Sequence, residues 1–235
     1  MLTVKHLTKA YHRNLANNDI TFEAEESAVS IILGPNGAGK STAIKCIMGL
    51  LRYTGEIRVC GYPNKSLEAK AMLGYVPEIP SLYDLLTVGE HLELIARAYR
   101  LTGYERRAEE LLRRFELKDK ENKLSRELSK GMQQKLSVCC ALLHQPKVIV
   151  FDEPLVGLDP HAIKEIKLIF QELRDEGRTV IISTHIIDSV EDIWDKAVIM
   201  SGGTVLKECT RPQVAADGQT LEQVFFSVTE NGGEG

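Results

Sequence analysis

Residues 34–42 of the chain read GPNGAGKST and match the pattern G-x-x-x-x-G-K-[ST]. Glycines let the backbone adopt conformations that are closed to other residues, so several N–H groups can converge on phosphate oxygens. Lys40 is then expected to bridge the β- and γ-phosphates of a nucleotide, and Ser41 to offer its hydroxyl to Mg²⁺. The residues predicted to bind the phosphates are Gly34, Asn36, Gly37, Ala38, Gly39, Lys40, Ser41 and Thr42.

The sequence on either side of this loop predicts a strand followed by a helix. Residues 28–33 (AVSIIL) form a short apolar run suited to a buried strand, and residues 42–51 (TAIKCIMGLL) have helical spacing. A helix that begins at Lys40 would direct its positive N-terminal end at the phosphates. The four specified positions recur by chance in roughly one chain in a hundred of this size, and the strand–loop–helix setting makes a chance match rarer still.

A second motif supplies carboxylates. Residues 147–154 (KVIVFDEP) place Asp152 and Glu153 at the carboxyl end of a predicted parallel strand, where ligands of open α/β sheets bind. Asp152 is expected to be an outer ligand of Mg²⁺, and Glu153 to orient or deprotonate the attacking water. His185 follows another predicted strand, TVIIS (179–183), at the same edge. Although a lone histidine is usually structural, this position predicts a sensor of the γ-phosphate.

Composition and charge narrow the class of protein. Of the 235 residues, 43% are hydrophobic and 26% charged, which is typical of a globular chain with its own core. No apolar run approaches the roughly 18–20 residues of a membrane span, and the N-terminus does not resemble a signal peptide, so we expect a cytosolic location. The net charge of −4 comes without a basic block, so no nucleic-acid partner is expected. The five cysteines lack C-x-x-C spacing and are interpreted as reduced.

Strands and helices alternate in a way that predicts an α/β fold. We expect a P-loop NTPase core, a mostly parallel sheet flanked by helices, with an N-terminal antiparallel β subdomain and an inserted α-helical subdomain. The predicted single domain spans 1–229, with the core at 1–85 and 146–229, the helical insertion at 86–145, and a flexible tail at 230–235. The predicted strands are 2–7, 19–24, 27–33, 55–60, 148–151 and 179–183, and the predicted helices are 66–73, two within 88–118 separated by a turn at 102–104, 130–144 and 161–177.

With these motifs on hand, the chain resembles the ATP-binding subunits of ABC (ATP-binding cassette) transporters over almost its whole length. GPNGAGKST is similar to the Walker A motif of that family, and VIVFDEP to its Walker B motif with the catalytic glutamate at Glu153. Residues 128–135 (LSKGMQQK) resemble the LSGGQ signature, and residues 157–160 (GLDP) resemble the D-loop. The resemblance implies ATP and Mg²⁺ as cofactors. It also implies nucleotide contacts from Tyr11 (stacked on adenine), Ser129, Gly131, Asp159 and the switch histidine His185.

The chain departs from the family pattern at two positions. Glu78, in GYVPEIP (74–80), stands where the family usually has a glutamine. Its carboxylate can approach Mg²⁺ through an oxygen, but it adds negative charge near the phosphates. Met132 replaces the usual glutamine at the fifth signature position, and we expect function to survive because Ser129 and Gly131 are retained.

The resemblance implies how such a subunit works. Two copies pack head to tail, each ATP lying between the Walker A motif of one chain and the signature of the other, and a homodimer is expected. An integral membrane transporter subunit would contact residues 79–90, placing the chain peripherally on the cytoplasmic face of the membrane. Within the family, the chain resembles the separately encoded exporter-type ATPase subunits of bacteria, so export is favoured over import.

Other functions remain to be weighed. An ABC-type ATPase in iron–sulfur assembly, repair or translation, not coupled to a membrane protein, would share every motif and stays an alternative. A P-loop GTPase would need an N-K-x-D motif, and the N-K pairs at 64–65 and 122–123 both lack the aspartate. An inactive regulator is not favoured, because Lys40, Asp152, Glu153 and His185 are all present.

Overall fold

Ten strands form two sheets within residues 1–231, the part of the chain that the computed structural model describes. The strands are, in chain order, β1 (Leu2–Tyr11), β2 (Asn14–Ala24), β3 (Val29–Leu33), β4 (Thr54–Val59), β5 (Tyr62–Pro63), β6 (Leu73–Val76), β7 (Val148–Asp152), β8 (Thr179–Thr184), β9 (Lys196–Ser201) and β10 (Thr204–Thr210). One sheet is antiparallel, in the order β2-β1-β4-β5. The other has six strands, in the order β10-β9-β3-β8-β7-β6, of which only the β9–β10 pair is antiparallel.

The six-stranded sheet is buried on both faces at its centre. Every residue of β3, β7 and β8 is buried, which is why these strands are continuous apolar runs rather than alternating ones. Alternate residues of one strand belong to different cores. Ile31 belongs to the core that contains Phe170, whereas Ile32 belongs to the core that contains Ile44 and Leu2. The sheet is therefore the middle layer of the molecule, and its carboxyl edge is the surface on which a ligand can bind.

Eight α-helices complete the described part of the chain. They are α1 (Lys40–Ile47), α2 (Leu67–Ala71), α3 (Val88–Ala98), α4 (Glu105–Arg114), α5 (Lys130–Leu142), α6 (Pro160–Asp175), α7 (Arg211–Ala216) and α8 (Leu221–Asn231). Local capping explains where several begin. Thr87 and Glu90 form a capping box at the start of α3, and Asp159 caps α6, whose first residue is Pro160.

Helices α3, α4 and α5 lie in one insertion between β6 and β7. These two strands are parallel neighbours in the sheet, so the chain leaves the sheet after Val76 and returns beside it at Val148. The helices pack their apolar faces into the same core as α6. This arrangement confirms the predicted fold class. The predicted domain bounds, with the arm at 86–145, stay a proposal.

Several elements differ from the sequence prediction. The helix after the phosphate loop begins at Lys40, as predicted, but ends at Ile47, because Gly49 adopts a φ of +71°. Strands β5, β6, β9 and β10 and helices α7 and α8 were not predicted. Most of the predicted flexible tail, 230–235, lies outside the described residues, and its first two residues continue α8. The five cysteines are free, as predicted.

Candidate functional site

The phosphate loop connects β3 to α1 and is shaped by one close approach. Gly39 has a φ of +94°, and a Cβ at this position would lie 2.4 Å from the carbonyl oxygen of Ala16 and 2.5 Å from Asn17 Nδ2. Asn17 Nδ2 donates a hydrogen bond to the Gly39 carbonyl at 3.1 Å. Strand β2 therefore supports the loop from outside, and only glycine fits at its last position.

Lys40 directs its ammonium group at the loop and at the second motif. Its Nζ donates to the carbonyl oxygens of Gly34 (2.8 Å) and Pro35 (3.2 Å) and lies 3.3 Å from Glu153 Oε1. The Lys40 side chain is 5% exposed and that of Glu153 is 7% exposed. The buried ammonium is thus compensated by one carboxylate and two carbonyls, as a buried charge requires.

Glu153 joins the cation to His185. Its Oε2 lies 3.0 Å from His185 Nδ1, while its Oε1 faces Lys40. The backbone of Glu153 has a φ of +46°, a left-handed conformation that costs a non-glycine residue about 1–2 kcal/mol. Strain of this kind concentrates at functional sites, where it fixes the direction of a side chain. Glu153 therefore contacts both of the other predicted catalytic residues, Lys40 and His185.

Asp152 is in hydrogen-bond contact with Ser41. Ser41 Oγ donates to Asp152 Oδ1 at 3.1 Å, and Ser183 Oγ donates to the same oxygen at 2.6 Å. Because the Ser41 proton points at Asp152, the lone pairs of its oxygen remain available. Hydroxyl and carboxylate oxygens are the ligands that Mg²⁺ prefers, so the donor set of Ser41, Asp152 and Glu78 fits this ion. Within residues 1–231, no cluster of three or more His, Cys, Asp or Glu side chains could hold a metal ion.

A cavity of about 680 Å³ opens above these residues. The predicted residues that line it are Asn36, Gly37, Ala38, Gly39, Lys40, Ser41, Thr42, Glu78, Glu153 and His185. Its remaining lining comes from Asn14, Leu15, Ala16, Val156, Gly202 and Gly203, none of which was predicted. The cavity therefore joins the carboxyl edge of the parallel sheet to the antiparallel sheet.

Glu78 and Asp152 affect a neighbouring tyrosine. Burial, together with the negative charges of Asp152 and Glu78, raises the pKa of Tyr75 to about 12. Tyr75 is on β6, and its ring lines a separate apolar groove that also contains Tyr83 and Tyr99. The phenol therefore stays neutral beneath the carboxylates.

Besides Gly34, which lies at the start of the phosphate loop, four predicted contact residues do not line the cavity. Ser129 is exposed and caps α5, accepting a hydrogen bond from Met132 N at 3.4 Å. Gly131 is in the first turn of the same helix. Asp159 accepts hydrogen bonds from the backbone at the start of α6, and the N–H group of Ala162 is the main cause of its lowered pKa. The predicted roles of Ser129, Gly131 and Asp159 need a second chain.

Tyr11 is the fourth of these residues. Its ring is 43% exposed and lies 4.7 Å from Lys9 Nζ. The cavity contains Leu15 of β2 instead, a side chain that sequence reasoning missed. The prediction that Tyr11 stacks on adenine therefore stays a prediction.

Fold and site together define a class of protein, the P-loop nucleotide-binding cassettes. A family model described as ABC transporter matches residues 17–156. The ABC-type transporter ATP-binding protein EcsA of Bacillus subtilis is 35% identical over 98% of this chain and 97% of its own length. The lipopolysaccharide export system ATP-binding protein LptB of Haemophilus influenzae is 32% identical over 96% of this chain and 97% of its own length.

Solved structures agree with this assignment. An ATP-binding subunit of an ABC transporter superposes with a TM-score of 0.89 at 36% identity, covering 97% of this chain and 99% of that one. The protein cbiO1 of Clostridium perfringens, part of the ABC transporter complex cbiONQ, gives 0.80 at 28% identity, covering 98% and 96%. The cassette MJ0796, as a dimer in a post-hydrolysis state with ADP and Pi, gives 0.80 at 29% identity, covering 89% and 98%.

The chain belongs to the ABC transporter family of ATP-binding proteins and is an ATPase of that family. No helix formed by residues 1–231 has the length and apolar composition needed to cross a membrane.

Proposed function

We propose that this chain is the ATP-hydrolysing motor subunit of a transporter, which drives substrate movement, export being favoured, through a separate membrane subunit. The observation that carries the proposal is the contact of Lys40 with Glu153 and of Glu153 with His185 at the wall of one cavity. These three side chains are the cation, the base and the sensor that cleavage of a γ-phosphate needs.

Each residue around the cavity has a distinct proposed role. Backbone N–H groups of residues 36–42 hold the phosphates, and Lys40 neutralises their charge. Glu153 accepts a proton from the attacking water through the carboxylate that now faces His185 Nδ1. His185 then responds to the γ-phosphate and holds Glu153 in place. Leu15 supplies an apolar surface to the adenine ring of the nucleotide, beside the predicted contact from Tyr11.

Mg²⁺ fits this site beside the nucleotide. Ser41 is proposed to hold it directly, while Asp152 holds the Ser41 hydroxyl and Glu78 approaches from the cavity wall. When bound, the ion neutralises charge that develops on the phosphate oxygens. Since Glu78 is a carboxylate, it also brings negative charge to this wall, which a glutamine would not do.

A second copy is the proposed source of the signature contacts. Ser129, Gly131 and Asp159 do not line the cavity of their own chain. The related cassette MJ0796 forms a dimer with ADP and Pi bound. In a head-to-tail homodimer, Ser129 and the N–H of Gly131, at the N-terminus of α5, would face the γ-phosphate of the other copy. Removal of that phosphate would then open the dimer.

The surface proposed for the membrane subunit is the segment 79–90. Ile79, Tyr83 and Leu85 are 77%, 63% and 70% exposed, which is unusual for three large apolar side chains within seven residues. They lie next to the apolar groove that contains Tyr75 and Tyr99. The related cbiO1 is part of a transporter complex, which supports a partner for this chain as well. We therefore place the chain on the cytoplasmic face of a membrane.

Hydrogen bonds hold this segment to the helical arm. The Tyr83 N–H donates to His91 Nε2 at 2.9 Å, and Ser125 Oγ donates to the Tyr83 carbonyl at 2.8 Å. The Ser125 carbonyl in turn accepts from Gln133 Nε2 on α5 at 3.0 Å. A force applied at Tyr83 would thus reach the helix that begins at the signature.

The first experiment tests the ATP sandwich with Glu153→Gln. This variant keeps the shape of the side chain and removes the base, so we expect turnover to fall by about 10²- to 10⁴-fold. Light scattering with saturating ATP and Mg²⁺ should then show a dimer, while the wild type turns over. Glu23→Gln, an exposed position on β2, is the charge-matched control. A Glu153→Gln variant that stays monomeric would refute the sandwich.

The second experiment tests the membrane partner. Tagged protein is purified in detergent from membranes of its own source, and co-purifying proteins are identified by mass spectrometry. A stoichiometric multi-span membrane protein supports the transporter proposal. A soluble partner, or none, would favour the alternative of an ABC-type ATPase that acts in iron–sulfur assembly, repair or translation.

A further inference from the structure

Ser183 is a fully buried polar residue at the carboxyl end of β8. It is the register partner of Asp152 in the neighbouring parallel strand β7. The family assignment rests on other motifs, and the functions proposed above give Asp152 a role but none to Ser183. A hydroxyl in a strand that is otherwise apolar at its centre needs a partner, and here it has two.

The Ser183 hydroxyl bonds to both acidic residues of the second motif. Its Oγ donates to Asp152 Oδ1 at 2.6 Å and accepts from the Glu153 N–H at 3.1 Å. The same N–H also points at the Ser183 carbonyl oxygen, at 3.1 Å. One hydroxyl therefore uses its single proton on one carboxylate and a lone pair on the backbone of the next residue.

The second of these bonds falls where the backbone is strained. Glu153 has a φ of +46°, and it must keep this conformation to direct Oε1 at Lys40 and Oε2 at His185. A left-handed residue that is not glycine persists only when its surroundings hold it. Ser183 supplies that restraint directly, through its buried hydrogen bond with the Glu153 N–H.

We infer that Ser183 is a positioning residue for ATP hydrolysis, which fixes the metal-facing Asp152 and the base Glu153 relative to each other. Ser183 does not line the cavity, and its hydroxyl contacts Asp152 and the Glu153 backbone instead. It acts through its neighbours, and without it Asp152 would be oriented by Ser41 alone and Glu153 would lose a restraint on its strained backbone. The inference rests on the proposed roles of Asp152 and Glu153.

The test compares Ser183→Ala with a control that the sheet itself offers. Ser30, on the adjacent strand β3, is also buried, but its Oγ has no hydrogen-bond partner. Ser30→Ala thus removes the same atom from the same sheet without breaking a contact. We expect Ser183→Ala to lower kcat by about 10- to 100-fold, as a misplaced base does, with the KM for ATP unchanged within about twofold. Ser30→Ala should turn over like the wild type.

A third variant separates the effect of the Ser183 hydrogen bonds from the effect of the side chain's volume. Ser183→Cys fills nearly the same space but is a weak donor and acceptor, so it should be impaired as Ser183→Ala is. It also decides the question if the alanine variant does not fold. A Ser183→Cys variant with wild-type kcat would overturn the inference, because packing alone would then explain the residue.

Metal binding gives a readout other than turnover. Mn²⁺ affinity is measured by electron paramagnetic resonance on protein loaded with a non-hydrolysable ATP analogue. Loss of an outer hydrogen bond should weaken Mn²⁺ binding about tenfold in Ser183→Ala and leave it unchanged in Ser30→Ala. Equal Mn²⁺ affinity and equal kcat in both variants would overturn the inference. If Glu153→Gln retained full turnover, the proposed base would fail, and the Mn²⁺ measurement would still judge Ser183 by itself.

Discussion

Acidification should destabilise the fold through His144, which follows α5. Its ring stacks on Tyr99 with 3.9 Å between centroids and 15° between planes. Its Nε2 donates to the carbonyl of Leu73 at 3.2 Å, and its Nδ1 is buried without a partner. Burial is the main reason why the pKa of His144 is lowered from 6.5 to about 4. A proton on Nδ1 would have no acceptor there, so the folded state resists protonation.

The sign and size of the effect follow from this shift. Because the folded pKa is below the unfolded one, the contribution of His144 is fully present above pH 6.5 and is lost as the pH falls from 6.5 towards 4. By the linkage relation, a step from pH 7 to pH 5 should cost about 2 kcal/mol of unfolding free energy. A loss of about 2 kcal/mol is a large share of the 5–15 kcal/mol that stabilises a typical domain. It changes the ratio of folded to unfolded protein by roughly a factor of thirty.

Urea unfolding at the two pH values measures this cost. Trp194 is the only tryptophan and is 2% exposed, so its fluorescence reports the transition. His144→Gln retains a side-chain donor for Leu73 but cannot titrate, and its stability should fall by about 2 kcal/mol less than that of the wild type over the same step. His12→Asn, an exposed turn position with a positive φ, is the control and should follow the wild type. Equal pH dependence in the wild type and His144→Gln would refute the reasoning.

Two further predictions concern the loop and the arm. Gly39→Ala should abolish nucleotide binding, because its Cβ would overlap Asn17, whereas Gly37→Ala, at a similar φ but with no atom within 4 Å, should bind a fluorescent ATP analogue more weakly but measurably. Equal binding by the two variants would contradict the overlap argument. Ser125→Ala should lower the unfolding free energy by about 0.5–1.5 kcal/mol, because the Tyr83 carbonyl loses the Ser125 hydroxyl and keeps only the N–H of Leu86 as a donor, and an unchanged urea midpoint would show that this bond contributes nothing.

The parts of the site that the sequence predicts are those built from neighbours in the chain. Lys40 reaches Gly34 six residues away, so one motif defines the loop and the cation together. Asp152 and Glu153 end a run of buried apolar residues, and that pattern places them at the carboxyl edge of the sheet. Once that edge is known, His185 is predicted to lie beside Asp152 and Glu153, because it follows the neighbouring parallel strand β8. Periodicity and motif spacing are therefore enough for this half of the site.

Contacts between distant segments were not predictable in the same way. Asn17 meets Gly39 and Leu15 enters the cavity only because the antiparallel sheet packs beside the phosphate loop, and no motif marks either residue. Ser183 carries a signal, a polar residue at the end of an apolar strand, but no motif names the partner of its hydroxyl. The β9–β10 hairpin also had one, the pair Gly202 and Gly203 shortly after the apolar run 197–200 (AVIM).

The signature is predictable as a motif but is incomplete within one chain. At the N-terminus of α5, Ser129 is exposed, and there is no acidic residue in the first turn to compensate the helix dipole. Lys130 adds a positive charge there and has no ion pair among residues 1–231. A helix end that carries excess positive potential and faces solvent is stabilised when an anion reaches it. In the proposed head-to-tail dimer that anion is the γ-phosphate held by Lys40 of the other copy, so the same ATP satisfies two sites that neither chain can complete alone.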